Sequence, residues 1–191
     1  MSLLPFFIGV YAVIISSLYF FLPLYLQGSL GFTGGQIGLI YAVLTMTAIL
    51  VSFPVGVTAD RYPARILTRL GLVGIAACLW GLSEVRHFWT FLLVIFGSGL
   101  SLQFFRLSLD SLLFKENHDN ASRRFGHYNS WRMGGMMLGA LGGGMLLYSL
   151  DFPRPLKLLA LGVLVLLFLT SRLPRSPGVR TSLLQYGRDF L

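Results

Sequence analysis

Three charged residues lie within otherwise apolar stretches of the sequence: Arg106, Asp110 and Arg132. Arg106 and Asp110 are four residues apart, so on a helix they share a face and can form an ion pair. Arg132 lies at a similar depth in the next apolar stretch, so it could also form an ion pair with Asp110. A charge inside a membrane costs about 3 kcal/mol or more, so these residues must face a partner or a water-filled cavity. The pattern predicts either a cavity that contacts a substrate or carries a proton, or a purely structural ion-pair cluster.

The rest of the sequence offers no arrangement typical of catalysis or metal binding. The single cysteine, Cys78, excludes an intrachain disulfide and a metal site built on cysteines. The three histidines do not have metal-ligand spacing, and zinc-protease, nucleophile-elbow and phosphate-loop motifs are missing. We therefore expect no catalytic residues, no metal, no cofactor and no enzymatic activity.

The composition indicates that a lipid bilayer surrounds these residues. The chain has 191 residues, of which 55% are hydrophobic and 12% charged, too few polar residues for a water-soluble surface. Lipid-embedded backbone must satisfy its own hydrogen bonds, and apolar runs of about 20 residues without a period of two favour helices over barrel strands. Thr33 is a candidate cap for the second helix. We predict an all-α membrane protein with six transmembrane helices, at 3–27, 34–57, 66–86, 88–114, 127–149 and 155–173.

The positive charges are distributed unevenly between the predicted loops. If the N-terminus is cytosolic, ten Lys and Arg residues fall on the cytosolic side and three on the outer side. This asymmetry follows the positive-inside rule, so we predict a multi-pass protein of the cell membrane with both termini in the cytosol. The net charge of +8 is then expected to lie beside anionic lipid rather than on nucleic acid.

The link after the second predicted helix runs Gly56-Val-Thr-Ala-Asp60-Arg61-Tyr-Pro-Ala-Arg65. Gly56 permits close approach of a neighbouring helix, and Asp60 can cap a helix or pair with arginine. Arg61 and Arg65 are four residues apart on one polar surface. These residues resemble the signature G-x-L-A-D-R-x-G-R-[RK] between helices two and three of the major facilitator superfamily. The positions that depart from this signature are Thr58, Pro63 and Ala64.

The fifth predicted helix carries glycines every four residues, at Gly135, Gly139 and Gly143. Such a stripe lets a second helix pack closely in any membrane protein. The segment also resembles the helix-five signature g-x-x-x-G-P-x-x-G-G of the same superfamily, with Ala140 in place of the proline. In the family this motif is associated with antiporters, and both antiport and symport stay open here.

The resemblance covers nearly the whole chain and implies a fold. Residues 1–173 would form the N-terminal six-helix bundle of the major facilitator fold, built as a 3+3 inverted repeat. Residues 174–191 would be a cytosolic linker that leads toward a C-terminal six-helix half absent from this chain. We therefore expect that half as a partner, together with the lipid bilayer.

The implied function is secondary active transport of a small molecule by alternating access, coupled to an ion, with the proton as first candidate. Gly56, Asp60, Arg61 and Arg65 would form part of the gate. Lactose- and phenylpropionate-permease-like members have an acidic residue late in helix four and an arginine early in helix five, where Asp110 and Arg132 fall. The alternative is a six-helix membrane scaffold or assembly subunit that transports nothing.

Overall fold

The computed structural model describes residues 4–115, 121–149 and 153–170. Within these ranges every regular element is helical apart from short turns, which confirms the predicted all-α class. The predictions made for residues 1–3, for the end of the sixth helix at 171–173 and for the linker at 174–191 lie outside the described residues. The helices are α1 (Leu4–Gly28), α2 (Gly34–Arg61), α3 (Ala64–Glu84), α4 (Phe88–Lys115), α5 (Ala121–Ser149) and α6 (Pro153–Leu169).

The turn between α1 and α2 is formed by local side-chain and backbone chemistry. Gly31 takes a positive φ of 67°, a conformation that glycine adopts without a steric penalty. Thr33 then caps α2, because its hydroxyl accepts a hydrogen bond from the Gln36 backbone N–H at 3.4 Å. The Gln36 side chain in turn accepts from the Thr33 N–H at 2.9 Å, which completes a capping box. The predicted helix start at this point is therefore confirmed.

Several helix ends differ from the predicted ranges. The α2 helix continues to Arg61 rather than residue 57, and α3 begins at Ala64 rather than residue 66. Pro63 separates the two helices, since a proline disfavours helical backbone in the residue before it but is tolerated at a helix start. The α5 helix begins at Ala121, well before the predicted residue 127. The polar first turns, which lie outside the predicted apolar range, are helical because alanine and arginine are good helix formers in water.

The helices pack as neighbouring pairs. The most extensive contact joins α1 to α5, α2 packs chiefly on α4, and α3 lies between α4 and α6. If α1, α2 and α3 are exchanged with α4, α5 and α6, respectively, the α1–α5 pair becomes the α4–α2 pair. The α3–α6 pair stays the same under this exchange. The α3–α4 contact is much larger than its counterpart between α1 and α6. Large buried side chains between the helices include Phe7, Phe91 and Phe105.

Large apolar side chains also cover the outside of the bundle. On α2, Met46, Ile49, Leu50 and Phe53 are 62–79% exposed and share one face of the helix. Such a face is stable in lipid and unfavourable in water. Four helices are long and apolar enough to cross a membrane, namely Leu4–Gly28, Gly34–Ala59, Ala64–Glu84 and Phe88–Leu113. The molecule is accordingly a multi-pass membrane protein, and the count of six crossings stays a prediction.

Polar contacts hold α6 against α3 at both ends. Near the start of α3, the Arg69 Nε donates to the Thr170 hydroxyl at 3.0 Å. At the opposite end, the Lys157 Nζ lies 2.7 Å from a Glu84 carboxylate oxygen and 5.4 Å from the centre of the Trp80 ring. These contacts fix the antiparallel α3–α6 pair outside the cavity described next.

Candidate functional site

A cavity of about 360 Å³ lies between α1, α4 and α5. It occupies the half of the bundle in which α1 begins, α4 ends and α5 begins. Arg106, Asp110 and Arg132, the three charges singled out in the sequence, all line it. The remaining lining residues are Ile8, Tyr11, Ala12, Ile15, Ser16, Tyr19, Phe20, Tyr128 and Met136.

The Asp110 carboxylate is contacted from two helices. Within α4, the Arg106 Nε lies 3.9 Å from Asp110 Oδ2, a weak i,i+4 ion pair with both side chains partly exposed. From α5, the Tyr128 hydroxyl donates a hydrogen bond to Asp110 Oδ1 at 3.0 Å. The carboxylate therefore joins α4 to α5 through a tyrosine.

Arg132 lies on the same face of α5 as Tyr128, one helical turn further on. Eleven residues from the helix start place it roughly 16 Å along the α5 axis, well inside the bundle. Its Nε atom is buried and has no hydrogen-bond partner among the described residues. The Asp110–Arg132 ion pair that the sequence left open is not among the ion pairs of the described ranges, where Asp110 pairs with Arg106. Arg132 is thus a cation that faces the cavity beside, and separate from, the Asp110 cluster.

Tyrosines of α1 form the wall opposite these charges. The Tyr11 ring packs against Phe105 of α4 with ring centres 4.4 Å apart. The Tyr19 hydroxyl lies 3.2 Å from the hydroxyl of Ser98 on α4. These two contacts hold α1 beside α4, so the tyrosines both pack and line the cavity.

Sequence reasoning did not single out Tyr128 as a site residue. Its position four residues before Arg132 was the available signal, because residues with that spacing share a helix face. A charge in an apolar helix stands out in the sequence, whereas a tyrosine near a loop does not, since tyrosine is common at membrane interfaces. Tyr11 and Tyr19 carry no stronger sequence signal, and their contacts with Phe105 and Ser98 of α4 place them in the site.

The glycine stripe of α5 faces α1 at very short range. A Cβ atom at Gly135 would collide with the carbonyl oxygen of Gly9, and one at Gly139 with the carbonyl oxygen of Val13. At Gly143 an added Cβ would meet the α1 backbone at 2.9 Å. Side chains at these positions would push α5 away from α1 and would widen the cavity between them.

Two serines of α1 strengthen the same contact with hydrogen bonds. The Ser16 hydroxyl donates to the Met136 carbonyl oxygen at 2.7 Å, and the Ser17 hydroxyl is 2.8 Å from the Gly139 carbonyl oxygen. Interhelical bonds of this kind need backbones as close as the glycines allow. The α1–α5 seam, defined here as the Gly135, Gly139 and Gly143 stripe with these serines, therefore sets one edge of the cavity.

The predicted gate residues form a separate group at the α2–α3 link. Gly56, Asp60 and Arg61 occupy the last turns of α2, and Arg65 lies in the first turn of α3 with a half-buried side chain. The side chains of Asp60 and Arg61 lie outside what the structure describes. A Cβ at Gly56 would meet no atom of the described residues within 4 Å, so the close helix approach predicted there is not seen within this bundle. Neither Gly56 nor Arg65, the two of these residues whose side-chain surroundings the structure describes, lines the cavity.

A comparison with protein families matches the Major Facilitator Superfamily over residues 6–186, which includes the α2–α3 link, the cavity and the seam. A search of curated proteins finds no match. Members of the matched family are membrane transporters of small molecules, which agrees with a charged cavity among apolar helices. Since the match covers nearly all of the chain, this protein belongs to the Major Facilitator Superfamily.

Proposed function

We propose that this chain is the N-terminal half of a secondary transporter that moves a small molecule by alternating access. The single observation that carries the proposal is the cavity between α1, α4 and α5, with three charged side chains in a membrane-embedded bundle. Its volume of about 360 Å³ falls in the range of roughly 300–1,000 Å³ typical of small-molecule sites. Charged residues at such depth are costly and typically mark substrate or proton pathways.

The cavity residues suggest a division of roles. We assign substrate contact to Arg106 and Arg132, because guanidinium groups stay charged in proteins and donate several hydrogen bonds. We assign proton exchange to Asp110, the acidic residue of the cavity lining. Its carboxylate accepts a hydrogen bond from the Tyr128 hydroxyl at 3.0 Å. Coupling to a proton would explain why an aspartate lies beside two arginines in the cavity. Such coupling is compatible with either antiport or symport.

The partner in this proposal is a second six-helix bundle, reached through the linker at 174–191. Two features support it: α2 and α5 each pack mainly on one neighbour, and α2 exposes a broad apolar face. The bundle at 1–173 would cross the cell membrane six times as a 3+3 repeat with both termini cytosolic. The α1–α5 and α2–α4 pairs, which exchange under that repeat, are the supporting contacts. Gly56, Asp60, Arg61 and Arg65 would then gate the cytosolic side.

The function can be tested by neutralising the proposed proton acceptor. The full chain would be reconstituted in liposomes, and accumulation of candidate substrates would be driven by an imposed proton gradient. The Asp110→Asn variant is expected to lose gradient-driven accumulation. Glu84→Gln is the matched control, because its carboxylate pairs with Lys157 away from the cavity. Accumulation by Asp110→Asn at the level of the unmodified protein would remove Asp110 from the mechanism.

A further inference from the structure

Pro23 interrupts the backbone hydrogen bonds of α1. The helix extends from Leu4 to Gly28 with this proline inside it. Because proline has no N–H, the carbonyl oxygen four residues earlier, on Tyr19, loses its helical donor, and the proline ring also crowds that carbonyl. A carbonyl oxygen without a donor is unfavourable in a membrane, so neighbouring helices commonly supply one.

In this protein the donor is a tyrosine of the next helix. The Tyr41 hydroxyl of α2 donates to the Tyr19 carbonyl oxygen at 2.7 Å. The two helices contact each other little within the described residues, so extensive packing does not account for this bond. We propose that Tyr41 is a positioning residue for the α1–α4–α5 cavity, an inference that rests on the proposed function. Its hydroxyl takes the place of the N–H that Pro23 lacks and fixes the cavity wall beside the proline.

The location of Pro23 connects this bond to the cavity. All α1 side chains that line the cavity precede the proline, and Tyr19 and Phe20 are the last of them. Beyond the proline, the side chains of Tyr25 and Leu26 are buried, with exposed fractions of 2% and 0%. The missing helical bond therefore lies at the boundary between the cavity and closely packed side chains.

Tyr19 is held from two neighbouring helices. Its carbonyl oxygen accepts from Tyr41 of α2, and its hydroxyl lies 3.2 Å from the Ser98 hydroxyl of α4. The preceding part of α1 is fixed against α5 by the α1–α5 seam. A side-chain hydroxyl can rotate away from the carbonyl, so α1 can change its bend at Pro23 without breaking a hydrogen bond of its own backbone. The Tyr41 bond thus determines where Tyr19 and Phe20 lie in the cavity wall.

A double-mutant cycle tests whether one donor replaces the other. Tyr41→Phe keeps the ring and removes the hydroxyl, and it should lower the thermal unfolding midpoint of the purified full chain in detergent by about 2–4 °C. Pro23→Ala restores an N–H at position 23, so in that background Tyr41→Phe should lower the midpoint by less than half as much. Pro54→Ala is the matched control, because this proline lies inside α2, and the full effect of Tyr41→Phe should persist there. An effect of equal size in the Pro23→Ala background, or no effect in the unmodified chain, would overturn the proposal.

The position of the cavity wall needs a readout that a purely structural role would not move. In a Cys78→Ala background, a single cysteine would be placed at Phe20, beside the missing bond, or at Ile15, on the part of α1 held by the seam. Both positions line the cavity. With Tyr41→Phe added, the rate at which a maleimide reagent modifies the purified protein should change by about threefold or more at Phe20→Cys and stay the same at Ile15→Cys. Pro23→Ala should reverse the change.

Neither measurement depends on transport, which separates this inference from the proposed function. If both give the expected results while the liposomes accumulate no substrate, the proposed function is wrong and the Tyr41 hydroxyl still replaces the missing N–H. If the liposomes accumulate substrate but the labelling rates at Phe20→Cys and Ile15→Cys change equally, or neither changes, Tyr41 does not position the cavity wall.

Discussion

Tyr128 of α5 donates a hydrogen bond to Asp110 of α4, with 3.0 Å between the hydroxyl oxygen and Oδ1. This bond is a polar link between two helices that contact each other little within the described residues, because α4 packs on α2 and α3 while α5 packs on α1. It also brings Asp110 to the cavity edge shared with Arg132. The site thus depends on a side-chain bond between helices that are weakly held together by packing.

Removing this hydroxyl should impair transport without unfolding the protein. In Tyr128→Phe the ring still packs, but the Asp110 carboxylate loses a donor, and a hydrogen bond to a charged group contributes about 1.5–3 kcal/mol. We expect the transport rate in liposomes to fall by roughly tenfold or more, at one tenfold per 1.4 kcal/mol. Tyr62→Phe is the control, since Tyr62 is 56% exposed at the α2–α3 link. Equal rates for the two variants would contradict a role for the Tyr128–Asp110 bond.

The α1–α5 seam predicts a sharp difference between glycines of one helix. Gly139→Ala would place a methyl group against the Val13 carbonyl oxygen, so the helices must separate and the Ser17 bond must lengthen. Gly134→Ala would meet no atom of the described residues within 4 Å and serves as the control. We expect Gly139→Ala to cost about 1–3 kcal/mol, as overpacked sites do. Gly134→Ala should be neutral or stabilising by up to about 1 kcal/mol.

Thermal unfolding of the purified protein in detergent would measure this pair. A clear fall in the midpoint for Gly139→Ala with no fall for Gly134→Ala is the expected result. If both variants melt together with the unmodified protein, the bundle tolerates a wider α1–α5 spacing, and the glycine stripe does not set the cavity edge.

The charged half of the site was predictable from the sequence, and the tyrosine half was not. Arg106, Asp110 and Arg132 stand out because a charge in an apolar helix requires an explanation. The partner of Asp110 was open, since Arg106 and Arg132 both had suitable spacing and depth. The choice of Tyr128 depends on the rotation of α5 about its axis, which the seam with α1 fixes. That rotation follows from packing between distant segments and leaves no local trace in the sequence.

The helix ends were likewise predictable from the sequence only in part. The start of α2 follows from Thr33 and Gln36, whose capping box is a local pattern. The start of α5 at Ala121 was missed, because hydropathy reports where a helix enters lipid and not where it begins in water. Polar turns before the membrane extend α5 without changing its apolar segment.

The α2 capping box should contribute measurably to stability. Thr33→Ala removes the hydroxyl acceptor for the Gln36 N–H, and loss of such a cap costs about 1 kcal/mol. Thr45→Ala is the control, since the Thr45 hydroxyl donates to the Tyr41 carbonyl oxygen of its own helix and lies in the exposed middle of α2. We expect a lower unfolding midpoint for Thr33→Ala alone. A midpoint equal to that of Thr45→Ala would show that the lipid-facing helix, and not its cap, determines stability here.

The proposed membrane orientation can be tested with single cysteines, because Cys78 is the chain's sole native cysteine. In a Cys78→Ala background, a cysteine would be placed at Tyr62 in the α2–α3 link or at His87 in the α3–α4 link, both exposed. The excess of Lys and Arg on the α2–α3 side predicts that this side is cytosolic. A membrane-impermeant thiol reagent should therefore label His87→Cys in intact cells, and Tyr62→Cys only after the membrane is opened. Labelling of Tyr62→Cys in intact cells would reverse the orientation, and with it the cytosolic placement of the gate and of the cavity half that contains Asp110.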